Sequence, residues 1–217
     1  MIQQFPLSTA GRNFALHGDG ARIISAFTSP SHDSSGRRSA LRQLLCDFPE
    51  LNPPEVILED DVHVGECFEF QGSYGQIGIS LPEPVHISSV SLEHVSPTMV
   101  SSGRARQAPK EIEVWASLER GAVLDSRWSV RSAHSFHISS SHSLPANATP
   151  SFVRAAQLEF DLFGVPLRQQ FHVTEVLPAC AVRHIIIVVR SNWGSDSTCL
   201  YHVGVYGNIS LQNVDTM

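Results

Sequence analysis

An all-β fold is what this sequence predicts: an antiparallel β-sandwich, jelly-roll-like, with at most one or two short helices. Three observations lead to it. Polar and apolar residues alternate with the period of two that sets one strand face on a core and the other in water. Strand-like runs recur between Gly, Pro and Ser punctuation. No alternation of strands with helices, the mark of a parallel α/β sheet, is present. The 217 residues are 42% apolar and 17% charged, which is enough to fill a core as one large domain or two small ones.

In chain order, the first clear strand is Gln76-Ile77-Gly78-Ile79-Ser80-Leu81, alternating polar with apolar or small residues. The pattern returns at Val85-His86-Ile87 and Val90-Ser91-Leu92 after Pro82 and Pro84, so half-buried strands are expected on both sides of the prolines. Glu111–Ala116, Leu158–Phe160, Phe171–Val176, Val182–Val189 and Thr198–Tyr206 follow as further strands. The longest apolar run, Ile185-Ile186-Ile187-Val188-Val189, is bounded by His184 and Arg190. It falls far short of the roughly 20 residues of a membrane span and reads as a buried strand. Only Arg37–Cys46 has helical spacing, with Ala40, Leu41, Leu44 and Leu45 on one face and Pro49 closing the run. The stretch at about 118–170 carries Ser139-Ser140-Ser141, Pro145, Pro150 and a diluted apolar pattern, and is expected to be a long surface insertion between core strands.

Composition excludes several functions. A net charge of −6 and a short, interrupted basic cluster, Arg104/Arg106/Lys110, offer no face for nucleic acid. The N-terminal MIQQFPLSTAGRNFAL lacks the basic-then-apolar layout of a signal peptide, so any targeting or anchoring segment is expected outside this chain, which itself inserts into no membrane. Cys46, Cys67, Cys180 and Cys199 form no CxxC zinc pattern and are compatible with two disulfides, one or none. The triplets Asn147-Ala148-Thr149 and Asn208-Ile209-Ser210 fit the glycosylation sequon, a pattern short enough to arise by chance.

Chemistry-bearing motifs are sparse. His134, His137 and His142 resemble a metal cluster, but they lie in the Ser-rich stretch without a nearby carboxylate or cysteine, and surface histidines are the plainer reading. His172, His184 and His202 fall on strand candidates and read as structural. No G-x-S-x-G elbow accompanies the many Ser and His residues, and Gly18-Asp19-Gly20 lacks the rest of a phosphate loop, so no catalytic site is expected. The densest acidic stretch, from Val56 to Cys67, carries Glu59, Asp60, Asp61 and Glu66; it is either a solvated loop or a cation site. Phe68, Phe70, Tyr74, Trp115, Trp193 and Tyr201 are candidates for a carbohydrate platform or, more simply, for the core.

Several segments together carry a specific resemblance. They are Asn13-Phe14-Ala15-Leu16 with Gly20-Ala21-Arg22-Ile23-Ile24 and Thr28-Ser29-Pro30; Asp61-Val62-His63-x-Gly65-x-Cys67-Phe68-x-Phe70-x-Gly72; Ser91-Leu92-Glu93-His94-Val95; Ala108-Pro109-Lys110; and Ser191-Asn192-Trp193-Gly194 running into Thr198-Cys199-Leu200-Tyr201. In this order they resemble a SUN domain from about Asn13 to Gly207, apart from the long insertion. The resemblance implies residues 1–12 as an extension from a stalk and 13–217 as the domain, with its variable insertion at about 118–170. It implies a homotrimer on a coiled-coil stalk outside this chain, lying in the perinuclear space as the lumenal part of an inner-nuclear-membrane protein. There the domain would bind the C-terminal KASH tail of an outer-nuclear-membrane protein and complete the nucleus–cytoskeleton linker (LINC) complex. The alternative is a carbohydrate- or glycoprotein-binding jelly roll, which would show exposed aromatics beside Asp or Asn.

By the same resemblance, His94 and Tyr201 line the peptide pocket. Gln107 and Ser197 stand where the animal pattern has Ser and Tyr. A monovalent cation, potassium or sodium, would be held by the backbone carbonyls of Val56, Glu59, Asp61 and Glu66 with Tyr201 closing the cage; the extra acids leave calcium open. Cys67 and Cys199 match a family disulfide, while Cys46 and Cys180 match nothing and read as buried thiols. A family cysteine that cross-links to the KASH peptide falls at about Thr28, so that tether is expected to be missing, which points to a fungal-like or otherwise divergent member. The family's mobile lid should lie within Ser31–Pro54, where the helix-like Arg37–Cys46 implies a different form.

Overall fold

The computed structural model describes residues 11–32, 52–118, 129–136, 151–173 and 181–209. The expected helix at Arg37–Cys46, most of the lid segment, Cys46, Cys180, His137, His142 and Asn147 lie outside these residues.

The architecture is antiparallel β, as the alternation predicts. In chain order the strands are β1 (Arg22–Ile24), β2 (Phe68–Gln71), β3 (Gly75–Glu93), β4 (Glu111–Ser117), β5 (Val130–Ser132), β6 (Ser151–Glu159), β7 (Arg168–His172), β8 (Val182–Val189), β9 (Ser197–Leu200) and β10 (His202–Ile209). β1, β3, β8, β4, β6 and β5 form a continuous order, β10 and β7 also pair with β3, and β2 pairs with β9 in a separate ribbon. The only α-helical turn among the described residues is Ser102–Ala105.

β3 organises the molecule. Its first part, Gly75–Ser80, pairs with β8 and β1, and its last part, Val85–Glu93, pairs with β10 and β7. The two strands expected around Pro82 and Pro84 are therefore one strand of 19 residues. The prolines, which cannot donate to a ladder, fall where the β8 register slips between Ser80 and Val85 and the strand exchanges partners. Burying side chains from both halves gives one large core that includes Ile77, Ile79, Ile87, Val90, Leu92, Ile112, Ile185, Ile187, Val203 and Val205.

The expectation of a looped-out insertion at about 118–170 does not hold throughout. β6 lies in that stretch, pairs with β4 from Phe152 to Glu159 with one register shift, and buries Phe152, Val153, Ala155, Ala156 and Leu158. Small residues at 155 and 156 dilute the apolar signal but fit a strand lying against neighbours. Ahead of β6, Ala133–Phe136 forms a 3-10 turn whose Phe136 ring packs on Trp115 (5.2 Å between centroids) and Phe152 (5.5 Å). The buried Gln76 carboxamide donates to the carbonyls of Phe27 and Phe136, so this second cluster is fixed to the main sheet by a polar anchor.

Candidate functional site

The single run expected from Thr198 to Tyr206 is broken by the fold at one residue. β9 pairs with β2 in the small ribbon, β10 pairs with β3 in the main sheet, and Tyr201 sits between them. The change of partner turns Tyr201 out of both ladders and against His94, which follows the last residue of β3. Their rings meet edge to face, 4.7 Å between centroids at 78°. Phe160, just past β6, stands 6.4 Å from the same imidazole.

His94 is 3% exposed. Its Nδ1 lies 3.0 Å from the Val95 carbonyl, and a carbonyl can only accept, so Nδ1 carries the proton and Nε2 is left as an acceptor. Nε2 is buried and has no hydrogen-bond partner among the described residues. Burial disfavours the imidazolium and lowers the pKa to about 4, outweighing the upward pull of the Val95 carbonyl. The ring is therefore neutral at physiological pH, with an unused lone pair. Tyr201 is also buried; burial raises its phenol pKa, while the Gly65 N–H donates to the hydroxyl at 3.3 Å. The Tyr201 O–H remains able to donate.

Gln107 and Ser197 form a second pair. The short helix at Ser102–Ala105, capped by the Ser101 hydroxyl, ends in a turn that delivers Gln107. Gln107 Nε2 donates to Ser197 Oγ at 2.8 Å and to Glu69 Oε1 at 3.0 Å. The Gln107 carbonyl accepts from Cys199 N–H, and the Ser197 carbonyl accepts from the Asn192 amide. The two residues are thus hydrogen-bonded to each other. Cys67 and Cys199 are joined in a disulfide, which ties β2 to β9 two residues before Tyr201.

The acidic loop is held through its backbone at both ends and through an ion pair at Asp60. Glu59 N–H donates to Val56 O in the turn Pro54–Leu58, and Glu59 O faces His202 Nδ1 at 2.7 Å. Asn52 donates to the carbonyls of Gly65 and Cys67, and Gly65 adopts φ +92°, a conformation that side-chain-bearing residues avoid. Asp60 pairs with Arg168, which also bonds Glu93. Among the described residues no three His, Cys, Asp or Glu side chains group as metal ligands. Neutral carbonyls on a pinned loop are a donor set that suits a hard cation of low charge.

Sequence reasoning assigned no individual role to Asn52, Gln76, Phe160, Arg168 or Asn192, whose roles depend on the hydrogen bonds and packing that the fold gives them. Of the aromatic candidates, Phe68, Phe70, Trp115 and Tyr201 are core, whereas Tyr74 is 54% exposed and Trp193 half-buried. His202 is buried and its pKa lowered, chiefly by desolvation, in keeping with a structural histidine. Thr28 is buried and donates its hydroxyl proton to Ile24 O.

A curled antiparallel sheet of this kind defines the jelly-roll class of folds. Solved structures of that class superpose on it. The family 32 carbohydrate-binding module of Streptococcus pneumoniae EndoD matches with a TM-score of 0.54 over 91% of this chain and 100% of its own, at 9% identity. An F5/8 type C domain from Bacteroides fragilis matches with a TM-score of 0.51 over 88% and 93%, at 11% identity. At such identities the likeness is one of fold. The Sad1/UNC-like C-terminal family model matches residues 48–129 and 131–209, and the chain belongs to that family, the SUN domains. It is 26% identical over 96% of its length to the nuclear migration and anchoring protein unc-84 of Caenorhabditis elegans, covering 17% of that protein. It is 29% identical over 91% to human SUN domain-containing protein 5, covering 44%, and 31% identical over 90% to rat sperm-associated antigen 4 protein, covering 37%. The chain therefore spans less than half the length of these relatives.

Proposed function

We propose that this domain is a lumenal receptor for the C-terminal KASH tail of an outer-nuclear-membrane protein, working as a non-enzymatic part of a nucleus–cytoskeleton linker in the nuclear envelope. Family membership supports the class, and one observation carries the site: the buried His94, whose acceptor Nε2 has no partner among the described residues, packs against Tyr201. A neutral imidazole acceptor and a phenol donor suit a peptide, whose backbone offers N–H and C=O together; a carboxylate cannot bond to the lone pair of Nε2. The side chains of His94, Tyr201, Gln107 and Ser197 are nearly enclosed in the single chain, so the tail reaches them as neighbouring loops part or as a second protomer completes the groove. A homotrimer on a stalk outside this chain supplies such a neighbour. We also assign to the loop of Val56, Glu59, Asp61 and Glu66 a monovalent cation, potassium or sodium, which would neutralise the carbonyl dipoles beside Tyr201.

The test is titration of a synthetic KASH-type tail against the domain fused to a trimeric coiled coil. Saturable binding that weakens at least about 30-fold in Tyr201→Ala and His94→Ala is expected, since enclosed hot-spot residues contribute about 2 kcal/mol or more. His94→Phe keeps the ring packing and deletes Nε2; it should fold and still bind weakly. Absence of binding by the folded trimer to tails of several partners would sink the proposal.

One observation favours the carbohydrate alternative. Phe163 is 72% exposed and meets Trp193 edge to face at 6.1 Å, with Lys110 Nζ 5.1 Å from the Trp193 ring and Asp161 two residues away. Glycan-array binding abolished by Phe163→Ala would establish that reading.

A further inference from the structure

The carboxamides of the described asparagines divide into two groups. Asn13 Oδ1 accepts from the N–H groups of Ala15 and Val205; Asn52 Nδ2 donates to the carbonyls of Gly65 and Cys67; Asn192 Nδ2 donates to Ser195 O, Ser197 O and Thr198 Oγ1. Each fixes one segment of chain to another, and none begins an N-x-S/T triplet. Asn208 differs on both counts. It begins Asn208-Ile209-Ser210, and its side chain is exposed, with no hydrogen bond or ion pair among the described residues.

The backbone explains the difference. β10 is buried from His202 to Tyr206, and Tyr206 also bridges to Asn13 on the outer side of the strand. A β-bulge then interrupts the register between Tyr206 and Gly207. Gly207 lies so close to the His86 carbonyl that a Cβ there would collide with backbone, so the strand stays paired to β3 while its outer cover ends. Asn208 and Ile209, the latter 43% exposed, follow in the open.

We infer that Asn208 is an N-glycosylation site. The inference rests on the lumenal placement proposed above, and the Cys67–Cys199 bridge is of the kind that forms and persists in an oxidising compartment, where the lipid-linked oligosaccharide donor is also found. In the transfer, Asn208 Nδ2 bonds to the anomeric carbon of an oligosaccharide carried on a lipid diphosphate. The anomeric C–O bond breaks, the lipid diphosphate leaves with the electron pair, and Nδ2 gives up one proton to the transferase. The triplet supplies the hydroxyl residue such transferases require at the second position after Asn. Folding does not withdraw Nδ2 from solvent, so the glycan is accommodated in the native state. It lies at the far end of β10 from Tyr201, about 20 Å away at about 3.3 Å per strand residue, and leaves the candidate peptide site clear.

The test expresses the full-length protein in eukaryotic cells with a reporter sequon appended at its C-terminus. Peptides are mapped by mass spectrometry after glycosidase release in heavy-oxygen water. Conversion of Asn208 to labelled Asp, with loss of one glycan shift in Asn208→Gln and Ser210→Ala but not in Ser210→Thr, is the expected result. A reporter that carries glycan while the Asn208 peptide is recovered wholly unmodified overturns the inference and leaves the lumenal placement standing. A bare reporter overturns the lumenal placement, and this site with it.

Discussion

His94 shows how a single residue couples structure to pH. Its pKa is about 4 in the fold against 6.5 in the unfolded chain, with desolvation the leading cause. The unfolded state therefore binds the proton first, and the stabilisation present above pH 6.5 is lost as the pH falls from 6.5 towards 4, by at most about 3 kcal/mol. His184 and His202 are shifted the same way by burial and add to the slope. Denaturant titrations at pH 7, 5.5 and 4.5 should show declining stability for the parent, and a flatter profile for His94→Phe; an unchanged profile would show that His94 is hydrated in solution. Tyr201 contributes on the same scale through the Gly65 N–H, which positions the acidic loop without using an acidic side chain. Gln107 and Ser197 act as a pair, meeting in a hydrogen bond of 2.8 Å. Ser197→Tyr alone should clash with Gln107, and Gln107→Ser combined with it should restore folding, as read from melting temperatures of the single and double variants.

At the scale of elements, the β2–β9 ribbon and the turn at Ala133–Phe136 are the pieces held by few strands, and each has its own fastening. The Cys67–Cys199 bridge spans 132 residues of sequence. In the chain-entropy treatment, closing a loop of that length stabilises by about 5 kcal/mol. Replacing both cysteines with serine should lower the melting temperature by roughly 10–20 °C. The same replacement should weaken tail binding, because Tyr201 is aimed by the segment that the bridge fixes. The 3-10 turn is held by Phe136, buried between Trp115 and Phe152, and by the Gln76 amide. Phe136→Ala should cost about 3–5 kcal/mol in denaturant unfolding, the range for a large ring removed from a core. A cost below about 1 kcal/mol would mean that the second cluster is not closed in solution.

For the whole molecule, the long strand β3 is the decisive element. By pairing with β1 and β8 at one end and with β10 and β7 at the other, it curls one sheet around the large core, and His94 past the end of β3, Tyr201 at the β9–β10 break and Gly65 of the acidic loop meet. The fold is shared with modules that bind sugars, so the architecture does not choose the ligand. Assembly does. If a neighbouring protomer completes the groove, the single chain should bind a KASH-type tail at least about tenfold more weakly than the stalk-fused trimer; equal affinity would place the whole site within one protomer.

The sequence by itself determined the fold class, most of the strands and the family, because period-two alternation is imposed by a sheet with one buried face and survives in any single strand. Val182–Val189 is legible to the residue, since a strand buried along nearly its whole length cannot dilute its apolar run. It named His94, Tyr201, Gln107, Ser197 and the Cys67–Cys199 pair through family resemblance, not through local pattern. Only the tertiary structure decided that Thr198–Tyr206 is two strands in two sheets, that β6 is core rather than insertion, and that Asn13, Asn52, Asn192 and Gln76 are structural anchors while Asn208 is not. These are questions of partnership. A hydrogen bond between residues far apart in the chain leaves no periodicity in either segment, and a carboxamide reads the same whether the fold uses it or leaves it in water.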